Sequence, residues 1–210
     1  MDTTTGYKNR ALASLNSRWK TPVLCTLVYY LIVLAISVLT NNHDESAFQG
    51  LVSILLYLAI LPLAWSFCVM FLDFIREELV SFSSLFVGYK KPWWAKSLLI
   101  PLLVGIYTIL WTLLLIIPGM IKAYSYAMSY FVYRDNNEIG SDAAIKESMR
   151  LMEGHKMDLF ILDLSFIGWL LLSLLTLGIG LLWLIPYVQS AHAHFYEDLI
   201  REKGTYAEHI

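Results

Sequence analysis

The chain has 210 residues, of which 58% are hydrophobic and 15% are charged, and its mean hydropathy is +0.59. Soluble domains are about 45–50% apolar and about 25% charged, so the composition favours a membrane protein and excludes an intrinsically disordered chain. The formal net charge is −2, which excludes the basic surplus that is typical of nucleic-acid binding. Two cysteines are too few for a disulfide framework.

Apolar runs near 20 residues long can cross a bilayer core of about 30 Å, because a helix rises about 1.5 Å per residue. Six such runs predict an all-α membrane protein, a single domain over residues 1–210 with a six-helix transmembrane bundle. The predicted spans are residues 22–40, 48–74, 97–117, 119–133, 159–175 and 181–197. The fourth span is short and contains Lys122, and the last two spans form a re-entrant hairpin in the alternative, four-span arrangement.

Basic residues are distributed unevenly among the connections between these runs. Fourteen of the fifteen Lys and Arg residues lie in the N-terminal segment, the second-to-third connection, the fourth-to-fifth connection and the C-terminal tail. The other three connections contain none. Because Lys and Arg collect in cytoplasmic loops, this pattern predicts a multi-pass protein of the cytoplasmic membrane with both termini inside. A four-span arrangement would break the alternation.

Three cytoplasmic segments are expected to lie at the membrane interface, and residues 203–210 are expected to form a tail. The segments are residues 8–20, 81–90 and 141–154. In the first, Leu12, Leu15 and Trp19 have helical spacing among basic residues, which predicts an amphipathic helix. In the third, Ser141 is expected to be the N-cap and Gly154 to follow the helix end.

Parts of the sequence repeat. Residues 14–20 are echoed at 84–90, where a small residue, leucine, an aromatic residue and lysine recur at the same spacing, and residues 73–77 are echoed at 198–202. We hypothesise three repeated units, each an amphipathic helix followed by a transmembrane hairpin, all in one orientation. The alternative is that the same residue types recur without any repeated unit, because Trp, Tyr and Lys collect wherever a chain enters a membrane.

Long motifs carry a resemblance to a known family. They are Trp111–Tyr126 (WTLLLIIPGMIKAYSY), Ala144–Lys156 (AIKESMRLMEGHK), Leu164–Tyr187 and the ending Phe195–Leu199. The chain resembles, over nearly its whole length, the bacterial integral-membrane family known as domain of unknown function 975. The resemblance implies an uncharacterised multi-pass protein of the bacterial inner membrane, and it implies no activity, catalytic residue or cofactor.

Asp163 is the candidate functional residue of the fifth span. An Asp at the centre of a span costs about 2.5–3.5 kcal/mol on insertion scales, so such residues usually face protein or water. The alternative is that Asp163 is shallow enough to be wetted from the cytoplasm. His192 falls at the matching depth of the sixth span, and we expect one polar cluster whose members are Asp163, His192, Tyr126, Tyr130 and Gln189.

A shared metal site is not expected at the two neighbouring histidines. His192 and His194 are two residues apart, and such residues point about 200° apart on a helix. His194 is expected to pair with Asp198, four residues later.

Prolines and glycines predict turns and kinks in or beside the spans. These residues are Pro62, Pro118, Gly119, Gly178, Gly180 and Pro186. Pro118 is expected to start a helix after a tight turn. For Pro62 and Pro186, ordinary kinks and helices broken around a midplane site both stay open.

No nucleotide-binding, zinc-protease, nucleophile-elbow or CxxC motif is present, so neither a cofactor nor a metal is expected. We expect a non-enzymatic protein that handles a lipid or small solute. Its expected partners are membrane lipids, a second copy of the chain or another membrane protein, and no nucleic acid. The alternatives are a scaffold subunit of a larger membrane complex and, third, an intramembrane enzyme.

Overall fold

The computed structural model describes residues 1–16, 18–40, 47–76 and 80–204. These ranges contain ten α-helices, one 3₁₀ helix and no strand, so the predicted all-helical fold is confirmed. The α-helices are α1 (Thr4–Leu15), α2 (Lys20–Thr40), α3 (Ala47–Ile75), α4 (Trp94–Leu114), α5 (Ile116–Tyr126), α6 (Ser129–Asp135), α7 (Ser141–Leu151), α8 (Lys156–Leu164), α9 (Ile167–Leu175) and α10 (Leu181–Lys203). The 3₁₀ helix is Phe82–Tyr89. Most of the first connection (41–46), Glu77 of the 73–77 echo and most of the tail (205–210) lie outside the described residues.

Four helical stretches within the described ranges are long and apolar enough to cross a membrane. They are Lys20–Thr40, Phe48–Ile75, Trp94–Leu114 and Lys156–Leu175, the last being α8 and α9 together. They coincide with the predicted first, second, third and fifth spans. The predicted fourth span is divided into α5 and α6, and the predicted sixth span is the less apolar α10, which continues six residues beyond its predicted end.

The first helix, α1, differs from its prediction. It starts at Thr4 and ends at Leu15, earlier than the predicted 8–20 at both ends. Its buried residues are Tyr7, Ala11 and Leu15, whereas Leu12 is exposed. The Tyr7 ring packs against that of Phe195, with 5.3 Å between their centroids, because α1 lies along α10 and buries the face that meets it.

Two predicted helix boundaries are also corrected. Gly140 rather than Ser141 is the N-cap of α7, and Gly154 adopts a positive φ of 89° three residues after the helix. The reversal between α4 and α5 lies at Leu115, which has extended dihedrals, so Pro118 sits in the first turn of α5. This is where proline costs little, since the first-turn N–H groups have no helical partner.

Within the described residues the helices form three hairpins: α2 with α3, α4 with α5 and α6, and α8 and α9 with α10. The second arm of each hairpin lies at the centre of the fold. Trp65 on α3, Tyr133 on α6 and Tyr196 on α10 are among the largest fully buried side chains. Each of the three predicted interfacial segments packs on the second arm of a hairpin: the 3₁₀ helix on α3, α7 on α6, and α1 on α10 of the last hairpin. The chain therefore closes on itself, because its first helix covers its last.

Polar contacts hold these segments in place. The backbone N–H of Gly88 in the 3₁₀ helix donates to Ser66 Oγ at 2.8 Å, and a Cβ at Gly88 would lie 2.6 Å from the Pro62 carbonyl oxygen. Ser148 of α7 bridges the interruption between α5 and α6: its hydroxyl donates to the Ser125 carbonyl and accepts from the Met128 N–H. The interrupted helix thus keeps its buried backbone groups hydrogen-bonded, as interiors require.

Arginine–carboxylate pairs tie together the ends of the three central helices. Arg134 donates to both oxygens of Asp73, at 2.9 and 3.1 Å. Arg76 donates to both oxygens of Asp135, at 2.6 and 2.9 Å, and its Nε donates to Glu197 at 2.6 Å. Asp73 and Arg76 of the first echo therefore lie at a junction of α3, α6 and α10, whereas Asp198 of the second echo pairs with Arg10 of α1.

Candidate functional site

Asp163 lies in the last turn of α8, just before the interruption of the fifth apolar run. Ser165 and Phe166 separate α8 from α9. Lys8 of α1 donates to the Ser165 carbonyl at 3.2 Å, and its ammonium lies 4.9 Å from the centre of the Phe166 ring. The interruption is thus covered by a cation that satisfies a carbonyl freed at the end of α8, as helix ends require.

Side chains from three helices, α5, α8 and α10, meet at the Asp163 carboxylate. His192 of α10 places Nε2 2.6 Å from Oδ1, and the Tyr124 hydroxyl of α5 donates to Oδ2 at 3.1 Å. With a proton on Nε2, His192 is a donor to the carboxylate. Asp163 keeps 32% of its side chain exposed and His192 keeps 22%, so the pair faces open space rather than a filled core.

That open space is a cavity of about 490 Å³ between α2, α3, α6, α8, α9 and α10. Its lining is largely apolar and aromatic, and Asp163, His192 and Gln189 provide polar groups on one wall. Two lining residues, Tyr30 and Leu170, are exposed, so the cavity opens sideways between helices. A mostly apolar pocket with a few convergent polar groups is typical of a binding site.

A match over most of the chain shows the family of this protein. The chain matches the family described as "Protein of unknown function (DUF975)" over residues 1–123 and over residues 112–203. The chain belongs to this family. The predicted resemblance is confirmed, and the match includes every residue of the cavity. No curated protein and no solved structure matches the chain.

In this DUF975 protein, most of the predicted cluster lies on one cavity. Asp163, His192, Tyr130 and Gln189 all line it. Tyr126 does not: it is buried on α5 with its ring 6.2 Å from that of Tyr107 on α4. The neighbouring Tyr124 bonds Asp163 instead. The sequence predicts Tyr126 rather than Tyr124 in the cluster, and the rotation of α5, which turns Tyr124 towards α8, corrects this prediction.

The predicted pairing of His194 with Asp198 is wrong. His194 Nε2 lies 2.9 Å from the Ser14 hydroxyl, and Asp198 accepts two hydrogen bonds from Arg10, at 3.0 and 2.7 Å. Burial opposes ionisation of Asp198, but the hydrogen bonds and charge of Arg10 outweigh it and hold the pKa of Asp198 below its ordinary value. A guanidinium offers two parallel donors to a carboxylate, which an imidazole cannot.

The remaining predicted turn residues lie at the hairpin tips or inside central helices. Gly178 adopts a positive φ of 85° at the α9–α10 turn, and Gly180 is the N-cap of α10. Pro62 and Pro186 lie inside α3 and α10, which continue through them. Over the described ranges, no group of three or more His, Cys, Asp or Glu side chains is placed to hold a metal ion.

Proposed function

We propose that this DUF975 member is a six-span protein of the bacterial cytoplasmic membrane with both termini inside. The distribution of basic residues supports this arrangement, as does the burial of α10. That helix contains His192, His194 and Glu197, and it is less apolar than the other spans. A helix at the centre of a bundle faces protein rather than lipid, so polar side chains with partners are tolerated there.

We also propose that the chain consists of three repeated units related by an axis along the membrane normal. Each unit is a cytoplasmic segment followed by a hairpin. The cyclic packing of the segments, each on the preceding hairpin, supports this proposal. So do the two described hairpin tips, where Gly119 approaches Thr112 and Gly180 approaches Ser173 at the same spacing.

We propose that the protein binds a lipid or small apolar solute in the cavity beside Asp163, without catalysis. The observation that carries this proposal is the cavity itself, which opens sideways and has a polar group on an otherwise apolar wall. An amphipathic molecule fits such a surface, because its apolar part gains about 25 cal/mol per Å² removed from water and its polar group finds a partner. Access between helices suits a molecule that arrives from the bilayer.

Single-cysteine labelling tests the six-span topology. We expect Ile116→Cys and Leu177→Cys, both at exposed hairpin tips, to react with a membrane-impermeant maleimide in intact spheroplasts. We expect Asp142→Cys, exposed on α7, to react only after lysis. All three are made in a background in which Cys25 and Cys68 are alanine. Protection of the Ile116 variant in intact spheroplasts would contradict the outside position of the α4–α5 tip, and labelling of the Asp142 variant in intact spheroplasts would contradict a crossing by α5 and α6.

A cavity-filling substitution tests the binding proposal. Ala64 lines the cavity, whereas Ala35 is exposed on α2 and lies outside it. We expect Ala64→Phe in the purified full chain to abolish saturable binding of a neutral fluorescent probe, N-phenyl-1-naphthylamine, and Ala35→Phe to leave it unchanged. Co-purified lipid, identified by mass spectrometry, should fall in the same variant. Equal binding by both variants would place the probe elsewhere, and a stoichiometric protein partner without bound lipid would favour the scaffold alternative.

A further inference from the structure

Asp163 differs from the carboxylates that hold the central helices together. Asp73, Asp135 and Asp198 each accept hydrogen bonds from an arginine, which is a permanent cation. Asp163 instead accepts from His192 and Tyr124, and neither partner carries a permanent charge. Its carboxylate also faces the cavity. It is therefore placed to act as the counter-charge of a bound molecule.

The rest of the cavity wall is aromatic. Five rings line it, those of Tyr29, Tyr30, Phe67, Tyr130 and Phe166. The rings of Tyr29 and Phe67 stack with 4.4 Å between centroids, and that of Tyr30 meets Tyr29 edge-on at 5.2 Å. Aromatic faces attract cations within about 6 Å of the ring centre. No Lys or Arg is among the described residues of this lining, and Lys8, whose ammonium lies 4.9 Å from the centre of the Phe166 ring, is outside it.

We propose that the molecule bound here is an apolar organic cation, such as a hydrophobic amine, quaternary ammonium or phosphonium. Its charge lies against Asp163 and its apolar groups lie against the aromatic wall. This inference rests on the proposed function, since it names the ligand class of the same cavity. The volume of about 490 Å³ is in the range of pockets for drug-sized molecules, about 300–1,000 Å³.

The residues of the cavity wall predict that binding depends on the charge of the ligand. A neutral apolar molecule gains the same apolar contacts but not the attraction to the carboxylate. An anion meets a like charge at a largely apolar wall, where electrostatic interactions are stronger than in bulk solvent. The cavity is thus expected to prefer a cation over a neutral molecule of the same shape.

The test compares tetraphenylphosphonium with the neutral triphenylphosphine oxide, by equilibrium dialysis against the full chain in mild detergent. We expect Asp163→Asn to weaken tetraphenylphosphonium binding about tenfold or more, which corresponds to about 1.4 kcal/mol. Binding of triphenylphosphine oxide should be unchanged. The control is Asp158→Asn, which removes the same charge from an exposed position of α8 outside the cavity and should affect neither probe.

Asp163→Glu keeps the charge and should retain the preference for the cation, which guards against misfolding of the Asn variant. Equal binding of both probes to the wild-type chain, with no effect of Asp163→Asn, would overturn the cationic ligand class while leaving the cavity proposal in place. Failure of both probes to bind would overturn both proposals. Equal losses in Asp163→Asn and Asp158→Asn would show a general charge effect and overturn the assignment to Asp163.

Discussion

Asp135→Ala is expected to lower the free energy of unfolding by about 3 kcal/mol, because it leaves a partly buried guanidinium without its bidentate partner. The Asp135 side chain is 11% exposed and that of Arg76 is 30% exposed. The variant also removes the hydrogen bond that the Tyr196 hydroxyl donates to Asp135 at 2.9 Å. Arg76 keeps Glu197, which places the effect at the lower end of the range for broken buried pairs. The measurement is thermal or denaturant unfolding in one detergent.

The matched control is Asp142→Ala. Asp142 and Lys146 form an ion pair of similar length, 2.7 Å, but both side chains are more than half exposed on α7. Exposed pairs contribute about 0–1 kcal/mol, because water screens the charges and the side chains lose entropy. Equal destabilisation by the two substitutions would mean that the junction of α3, α6 and α10 is not a buried network.

Hydropathy predicts the long apolar runs, including the central α3, and predicts less well where α10 ends. The runs that include α2 and α4 are apolar and mostly exposed, whereas that of α3 is apolar and partly buried. The end of α10 is not apolar, yet the helix continues to Lys203. Its extension depends on partners from other elements, Arg76 for Glu197 and Arg10 for Asp198, and no local pattern reveals them.

The candidate site is also predictable only in part, because some of its contacts come from distant elements. A lone Asp in an apolar run is costly, which singles out Asp163, and counting residues from the α9–α10 turn places His192 opposite it. The contacts of Tyr124 and Arg10 cannot be predicted from the sequence. The bond between Arg10 and Asp198 joins residues 188 positions apart, so it depends on the docking of α1 on α10. The sequence shows both charged residues. It does not show the packing of α1 on α10, which pairs Asp198 with Arg10 rather than with His194.

The hairpin tips depend on glycine at two positions of equal spacing. A Cβ at Gly119 would lie 2.6 Å from Thr112 Cα, and a Cβ at Gly180 would lie 2.9 Å from Ser173 Cα. In both hairpins the facing hydroxyl turns back onto its own helix: Thr112 donates to the Thr108 carbonyl and Ser173 to the Trp169 carbonyl, each at 2.8 Å. With its hydroxyl bonded internally, each residue lets the second helix approach closely, as small residues do between membrane helices.

We expect Gly119→Ala and Gly180→Ala each to lower the free energy of unfolding by about 1–3 kcal/mol, because the added methyl group meets main-chain atoms that cannot rotate away. Gly168→Ala is the control, since no atom lies within 4 Å of the position of its Cβ. Alanine favours a helix over glycine by up to about 1 kcal/mol, so this variant should be as stable as the wild type or slightly more stable. The comparison is made by thermal unfolding in one detergent. Losses of equal size at both tips and none at Gly168 would mean that two hairpins turn by the same contact, which is what descent from one repeated unit requires. A loss at one tip alone would mean that the two turns are built independently, and the proposed repeat would then rest on the packing of the 3₁₀ helix, α7 and α1.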